Sequence, residues 1–125
     1  MKIKVLVIDD ERLLTKSTCL ALNAHGYETE GVLDGEEGYQ KAIKNKPDVI
    51  LLDIMMPGTD GWDILSNLKS NAITKDIPVV IFTAKEYSNG NIYAKQKGAD
   101  DFIAKPFEIK DLCEIINSLT VNVEG

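Results

Sequence analysis

With 125 residues, 44% of them hydrophobic and 27% charged, the chain has the size and composition of one globular domain that can bury a core. Fourteen Lys and Arg against 20 Asp and Glu leave a formal charge of −6, which repels nucleic-acid phosphates and anionic membrane surfaces and argues against either as a direct partner. No apolar run approaches a membrane span, and Met1-Lys2-Ile3-Lys4-Val5 lacks the length and cleavage site of a signal peptide, so a cytoplasmic location is expected.

The predicted elements alternate. Val5-Leu6-Val7-Ile8 is a continuous apolar run of the kind that suits a strand buried on both faces, and it ends in Asp9-Asp10. A first helix follows, with Leu13, Leu20, Ala21 and Ala24 as its apolar stripe and Gly26 as its stop. A weaker strand at Glu28–Val32 leads to a helix marked by Tyr39, Ala42 and Ile43, which ends before Pro47. Val49-Ile50-Leu51-Leu52 is the third strand, and Asp53 stands at its end. Asp60 is the expected N-cap of a helix whose face is Gly61, Ile64, Leu65 and Leu68. Val79-Val80-Ile81-Phe82 is the fourth strand, followed by Thr83. A helix over about 88–97 is weakened at its start by Asn89-Gly90-Asn91. A second weaker strand, Asp101–Ala104, runs into Lys105-Pro106, and Ile109, Leu112, Cys113 and Ile116 give the last helix one apolar face.

Five βα units without linker or repeat imply a single α/β domain over residues 1–125, with right-handed crossovers and helices on both faces of a parallel sheet. Cys19 and Cys113 both fall in helices, form no CxxC or Cys/His cluster, and are expected to be reduced, buried, small apolar residues. Neither GxGxxG nor GxxxxGK[ST] occurs, so dinucleotide and P-loop nucleotide binding are unsupported. His25, Trp62 and Tyr93 are read as helix-end, packing and surface residues.

In open α/β sheets, sites form beyond the carboxyl ends of the strands. Asp9, Asp10, Asp53, Thr83 and Lys105 all stand there. Each alone has a structural explanation: a cap for Asp9 or Asp10, a turn for Asp53, a strand end for Thr83, a surface charge for Lys105. Together they pose an electrostatic problem, because crowded carboxylates resist ionising side by side. A hard divalent cation such as Mg²⁺ relieves it, prefers oxygen ligands and leaves room for a phosphoryl oxygen. A metal, a fixed ammonium and a carboxylate nucleophile are the equipment of phosphoryl transfer through an aspartyl-phosphate.

These residues lie in Val7-Ile8-Asp9-Asp10-Glu11, Leu52-Asp53-Ile54-Met55-Met56-Pro57-Gly58-Thr59-Asp60-Gly61, Ile81-Phe82-Thr83-Ala84 and Gly98-Ala99-Asp100-Asp101-Phe102-Ile103-Ala104-Lys105-Pro106-Phe107. In that order and spacing the chain resembles, over almost its whole length, the receiver domains of bacterial two-component response regulators. The resemblance implies a flavodoxin-like (βα)5 three-layer sandwich with strand order 2-1-3-4-5. It implies Asp53 as phosphoacceptor, and Asp10, Asp53 and the backbone carbonyl of Met55 as direct Mg²⁺ ligands, with Asp9 acting through water. Thr83 would hydrogen-bond a phosphoryl oxygen. Lys105 would pair with Asp53 at rest and with the phosphoryl group afterwards, next to a cis Lys105–Pro106 bond.

The implied donor is a phosphohistidine on a sensor histidine kinase or phosphotransfer protein, with acetyl phosphate as a small substitute. The implied reader is a downstream effector or output domain that senses the surface of the fourth helix, fifth strand and fifth helix. Phe102, where relatives commonly carry Tyr, would couple the site to that surface through packing alone. Met55 and Lys85 are poorly suited to orient an attacking water, so slow self-dephosphorylation is expected. Such a domain is expected to catalyse only its own phosphorylation and dephosphorylation; with no output domain expected within residues 1–125, both a protein that works alone through contacts and a piece of a longer regulator or hybrid kinase stay open. The alternative of a different class is a Mg²⁺-dependent phosphohydrolase of small phosphates working through an aspartyl intermediate. Those enzymes commonly space two acids as Asp-x-Asp, whereas Asp9 and Asp10 are adjacent.

Overall fold

A computed structural model of the chain describes residues 2–84 and 97–121. The long strands are β1 (Lys4–Ile8), β2 (Glu28–Val32), β3 (Val49–Leu52), β6 (Val79–Ala84) and β7 (Asp101–Lys105). They form one sheet in the order β2-β1-β3-β6-β7, every pair parallel. In terms of the long strands this is the 2-1-3-4-5 order expected of the flavodoxin-like fold. Between β3 and β6, the two-residue strands β4 (Met55–Met56) and β5 (Thr59–Asp60) make a small antiparallel ladder where the sequence suggested only a turn.

Side chains alternate between the two faces of a strand, and both faces of this sheet are covered. Leu6, Ile8, Ile50, Leu52 and Ile81 pack on one side with Ala42 of α2 (Gly35–Asn45) and with Ile64, Leu65 and Leu68 of α3 (Gly61–Ser70). Val5, Val7, Val49, Leu51, Val80 and Phe82 pack on the other with Leu22 of α1 (Arg12–Ala24) and with Leu112 and Ile116 of the C-terminal helix (Ile109–Leu119). The uninterrupted apolar runs are therefore two interleaved cores, and the molecule has three layers. Among the described residues no helix is long and apolar enough to cross a membrane.

The helix ends follow their local chemistry. Asp60 caps α3 by accepting a hydrogen bond from the Trp62 N–H at 2.9 Å, and Asp34 caps α2 by accepting from the Glu37 N–H at 2.9 Å. Gly26, with φ of +95°, ends α1 where a side chain would be strained. Cys19 and Cys113 are free thiols, as expected, but each is only partly buried where full burial was expected; that partial burial pushes both thiols up.

One expectation fails. The stripe predicted for α1 faces solvent: Leu13 is 82% and Leu20 59% exposed, and Ala24 is exposed as well. The inward face is Thr15, Thr18, Cys19 and Leu22, also spaced i, i+3, i+4, i+7. Two threonines hide this face from a hydrophobicity pattern. Thr15 can be buried because its hydroxyl donates to the Asp9 carbonyl at 2.8 Å, so no polar group is orphaned. Its methyl group occupies space left by Gly31, where a Cβ would stand 2.7 Å from Thr15 Cγ2. The helix expected over about 88–97, together with Lys85 and Tyr93, lies outside the described residues apart from Lys97.

Candidate functional site

Two-residue alternation delivers the charges to one place. Val5 and Val7 point into the core beneath α1 and the C-terminal helix, so Asp9, the next residue of that parity, emerges at the same face past the end of β1. Val49 and Leu51 do the same for Asp53, and Ile103 for Lys105. The register sets Val7 opposite Leu51, and the Asp53 N–H donates to the Ile8 carbonyl at 2.9 Å, which holds the two strand ends level.

The three carboxylates converge. Asp9, Asp10 and Asp53 each offer an oxygen within 4.8 Å of the others. Asp9 and Asp53 are buried, with Asp53 only 2% exposed, whereas Asp10 is exposed. Lys105 comes from the far edge of the sheet to join them. Its Nζ donates to Asp9 Oδ2 and to Asp53 Oδ2, both at 3.0 Å. The other oxygen of each buried acid is held by backbone: Asp9 Oδ1 accepts from the Glu11 N–H at 3.1 Å, and Asp53 Oδ1 from the Met55 N–H at 2.8 Å. Neither Asp9 nor Asp10 is the N-cap of α1, the role a lone acid there suggests: that position is Glu11, which makes no side-chain cap, and Asp9 closes a local turn onto Glu11 instead.

Burial raises the Asp9 carboxyl from 3.8 to about 6; the Glu11 N–H and Lys105 pull it back down, and the charge of Asp53 pushes it further up. Burial works against the Lys105 ammonium, but hydrogen bonds to Asp53 and Asp9 and their charges outweigh it, and the amine is held above its ordinary range.

Thr83 lies at the carboxyl end of β6, between the strands that carry Asp53 and Lys105. It is fully buried, and its Oγ1 has no hydrogen-bond partner among the described residues. A buried hydroxyl without a partner is uncommon and costly. Met55 closes the turn over residues 53–55, the acid loop, and is 46% exposed. The Lys105–Pro106 bond is cis, as the resemblance implied. Phe102 is half-buried in β7 and packs against the core beneath α2 and α3.

The donor set suits a hard divalent cation: three carboxylates, all oxygen, converge on one point, with Lys105 as the one ammonium paired to them among the described residues. Sequence reasoning missed one neighbour of the site. The Phe82 ring lies under the Lys105 ammonium, 4.7 Å from Nζ to the ring centroid. The signal was available in the strand alternation, since Phe82 and Lys105 share a sheet face, but the sequence alone leaves the register between their strands open.

The model of the response regulator receiver domain family matches residues 5–117. The phosphate regulon transcriptional regulatory protein PhoB of Pseudomonas aeruginosa is 37% identical over 108 residues, which cover 86% of this chain and 47% of that protein. This chain spans about half the length of the curated relatives it matches. Among solved structures, a putative response regulator from Chloroflexus aurantiacus superposes with a TM-score of 0.90 at 30% identity, covering 97% of this chain and 99% of that one. The chemotaxis response regulator CheY4 of Vibrio cholerae gives a TM-score of 0.86 at 28% identity, over 95% of this chain and 99% of that one.

Proposed function

Because the chain belongs to the response regulator receiver domain family, we propose that it is a phosphorylation-driven switch in which Asp53 takes a phosphoryl group from a phosphohistidine on a sensor histidine kinase or phosphotransfer protein. The observation that carries this reading is the buried Asp53 carboxylate, paired with Lys105 at 3.0 Å inside a group of three acids.

In this reading an Asp53 oxygen attacks phosphorus, the donor N–P bond breaks, an acyl O–P bond forms, and the bonding electrons leave with the imidazole nitrogen. Asp10, Asp53 and the Met55 carbonyl would hold Mg²⁺ directly, with Asp9 acting through water. When bound, the ion supplies positive charge and oxygen ligation to the transferring group. Lys105 shifts one hydrogen bond from the Asp53 carboxylate to a phosphoryl oxygen. Thr83 donates a hydrogen bond to another phosphoryl oxygen from its hydroxyl, which has no partner among the described residues. The acid loop stays anchored by the Met55 N–H.

Transfer changes a carboxylate into a group of about −2 charge with several strong acceptors. Thr83 follows that charge, and Phe102 on the neighbouring strand β7 repacks, altering the surface read by an effector or output domain. A population change from mostly resting to mostly active needs a differential interaction of a few kcal/mol, about what two charge-assisted hydrogen bonds supply. Phe102→Ala should uncouple phosphorylation from partner binding.

The test is mass spectrometry after incubation with Mg²⁺ and acetyl phosphate. One phosphoryl adduct is expected on the wild-type chain and none on Asp53→Asn. An adduct that persists in Asp53→Asn overturns the assignment, and sustained turnover of free phosphoesters would support the phosphohydrolase alternative instead.

A further inference from the structure

Lys105 has a third neighbour besides its two carboxylates, the ring of Phe82 at 4.7 Å, within the range at which a ring face attracts a cation. Phe82 is fully buried, and the register pairs it with Ile103, so Phe82, Ile103 and Lys105 look toward the same side of the sheet. Phe107, two residues past Lys105, meets the Phe82 ring in a T-shaped contact with centroids 6.1 Å apart and planes at 69°. The ring is therefore clamped between the core and Phe107, while its face is turned to the ammonium.

We propose that Phe82 is a positioning residue for phosphoryl transfer, its ring face fixing the Lys105 ammonium at the mouth of the acidic group so that it meets the incoming phosphoryl oxygens. The role rests on the phosphoacceptor reading of Asp53. Both hydrogen-bonded partners of Lys105 change their own charge state or their company during the reaction: Asp53 becomes an acyl phosphate, and Asp9 belongs to the group that would share a cation. The ring does neither. It attracts the ammonium without accepting a conventional hydrogen bond, so Lys105 can exchange one oxygen for another while its stem stays in place. An aliphatic residue of similar volume would fill the core equally well but leave the ammonium held by carboxylates alone. Those carboxylates would draw it away from the phosphoryl group.

The test varies the charge on the ring face while keeping its shape. The full chain carries 4-fluoro-, 3,5-difluoro- or 3,4,5-trifluorophenylalanine at position 82, with Phe82→Leu and Lys105→Ala alongside. Three quantities are measured: the rate of Asp53 phosphorylation by acetyl phosphate with Mg²⁺, the melting temperature, and the ring-current displacement of the Lys105 ε-methylene resonance in the metal-free protein. The rate should fall stepwise with fluorine number, by about tenfold at trifluoro, at constant melting temperature. The ε-methylene displacement should be present in the wild-type chain and lost in Phe82→Leu.

A flat rate across the fluorinated series, with the wild type phosphorylated and Lys105→Ala slow, overturns the role of Phe82 and leaves Asp53 as acceptor. A rate that tracks melting temperature instead of fluorine number overturns it too, as does an ε-methylene resonance that Phe82→Leu does not move. A wild-type chain that takes no phosphoryl group at all removes the phosphoacceptor reading and the positioning role together.

Discussion

The Lys105 ammonium lies 3.0 Å from Oδ2 of Asp53, although 52 residues separate the two in the chain. It lies equally close to Oδ2 of Asp9, so one cation serves two buried anions, with Asp10 adding a third acid at the rim. A buried ion pair seldom adds much stability over an apolar substitute, because desolvating both charges offsets their attraction. Removing one partner is different, since it strands whatever charge remains.

Lys105→Ala should therefore destabilise the metal-free chain by about 3 kcal/mol at neutral pH. It leaves Asp9 and Asp53 facing each other with no counter-charge among their described partners. The loss should shrink at about pH 5, where Asp9 can take up a proton. Urea unfolding in the presence of a chelator measures it. An equal loss at both pH values would mean that Lys105 contributes packing and not charge.

The Asp9 carboxyl itself sets a pH dependence. Its folded value of about 6 lies above its ordinary 3.8. Below the lower value Asp9 is protonated in both the folded and the unfolded chain, and its favourable contribution is fully present. As pH rises through 6, the folded chain must ionise a buried group at a cost the unfolded chain does not meet, and that contribution is lost. The difference is on the order of 2–3 kcal/mol by neutral pH. Asp9→Asn should accordingly be more stable than the metal-free wild type at about pH 7.5, with the gap closing toward about pH 4.5. Added Mg²⁺ should stabilise the wild type more than the variant. Paired denaturation curves across that range decide it, and a gap independent of pH would remove Asp9 as its source.

The site was legible because most site-bearing strands are unbroken apolar runs stopped by a polar or charged residue. Val5–Ile8 into Asp9, Val49–Leu52 into Asp53 and Val79–Phe82 into Thr83 share one form, and the weaker strand Asp101–Ala104, which starts on an acid, still runs into Lys105. The sheet rule then places those residues at one edge. The face of α1 was not legible. Thr15 and Thr18 score as polar yet point inward, each burying a methyl, and the Thr15 hydroxyl is answered by a carbonyl six residues back. The β4–β5 ladder was hidden for another reason: two residues per strand carry no period to detect. The Phe82–Lys105 contact joins different strands, so it needed the register.

The corrected face of α1 makes a direct contrast. Leu22 is fully buried in the core shared with Tyr27, Leu112 and Ile116, so Leu22→Ala should cost about 2–5 kcal/mol. Leu13 is 82% exposed, and Leu13→Ala should change stability by no more than about 0.5 kcal/mol. Thermal or urea unfolding of the two variants distinguishes this arrangement from the one in which Leu13 belongs to the buried stripe, for which both would be costly.

Two glycines separate backbone from side-chain crowding. A Cβ on Gly61 would stand 2.2 Å from the Ile54 Cα, whereas the nearest atoms to one on Gly38 belong to the Ile8 side chain, at 2.5 Å for Cδ1 and 2.7 Å for Cγ1. Ile8 is fully buried and β-branched, so it yields only by shifting within the core; about 1 kcal/mol of helix propensity gained within α2 offsets part of that overpacking, and Gly38→Ala should cost about 1 kcal/mol. The Ile54 backbone has still less freedom, because it directly follows Asp53, whose carboxylate is tied to the Met55 N–H. Gly61→Ala must push α3 and the acid loop apart, at a cost of about 2 kcal/mol or more. The displaced loop should also slow acetyl phosphate labelling of Asp53, an effect Gly38→Ala should not share. Unfolding curves and labelling rates for the pair test this, and a Gly38→Ala variant hit harder than Gly61→Ala in either measurement would show that the close approach of α3 to the acid loop is not what holds Asp53 in place.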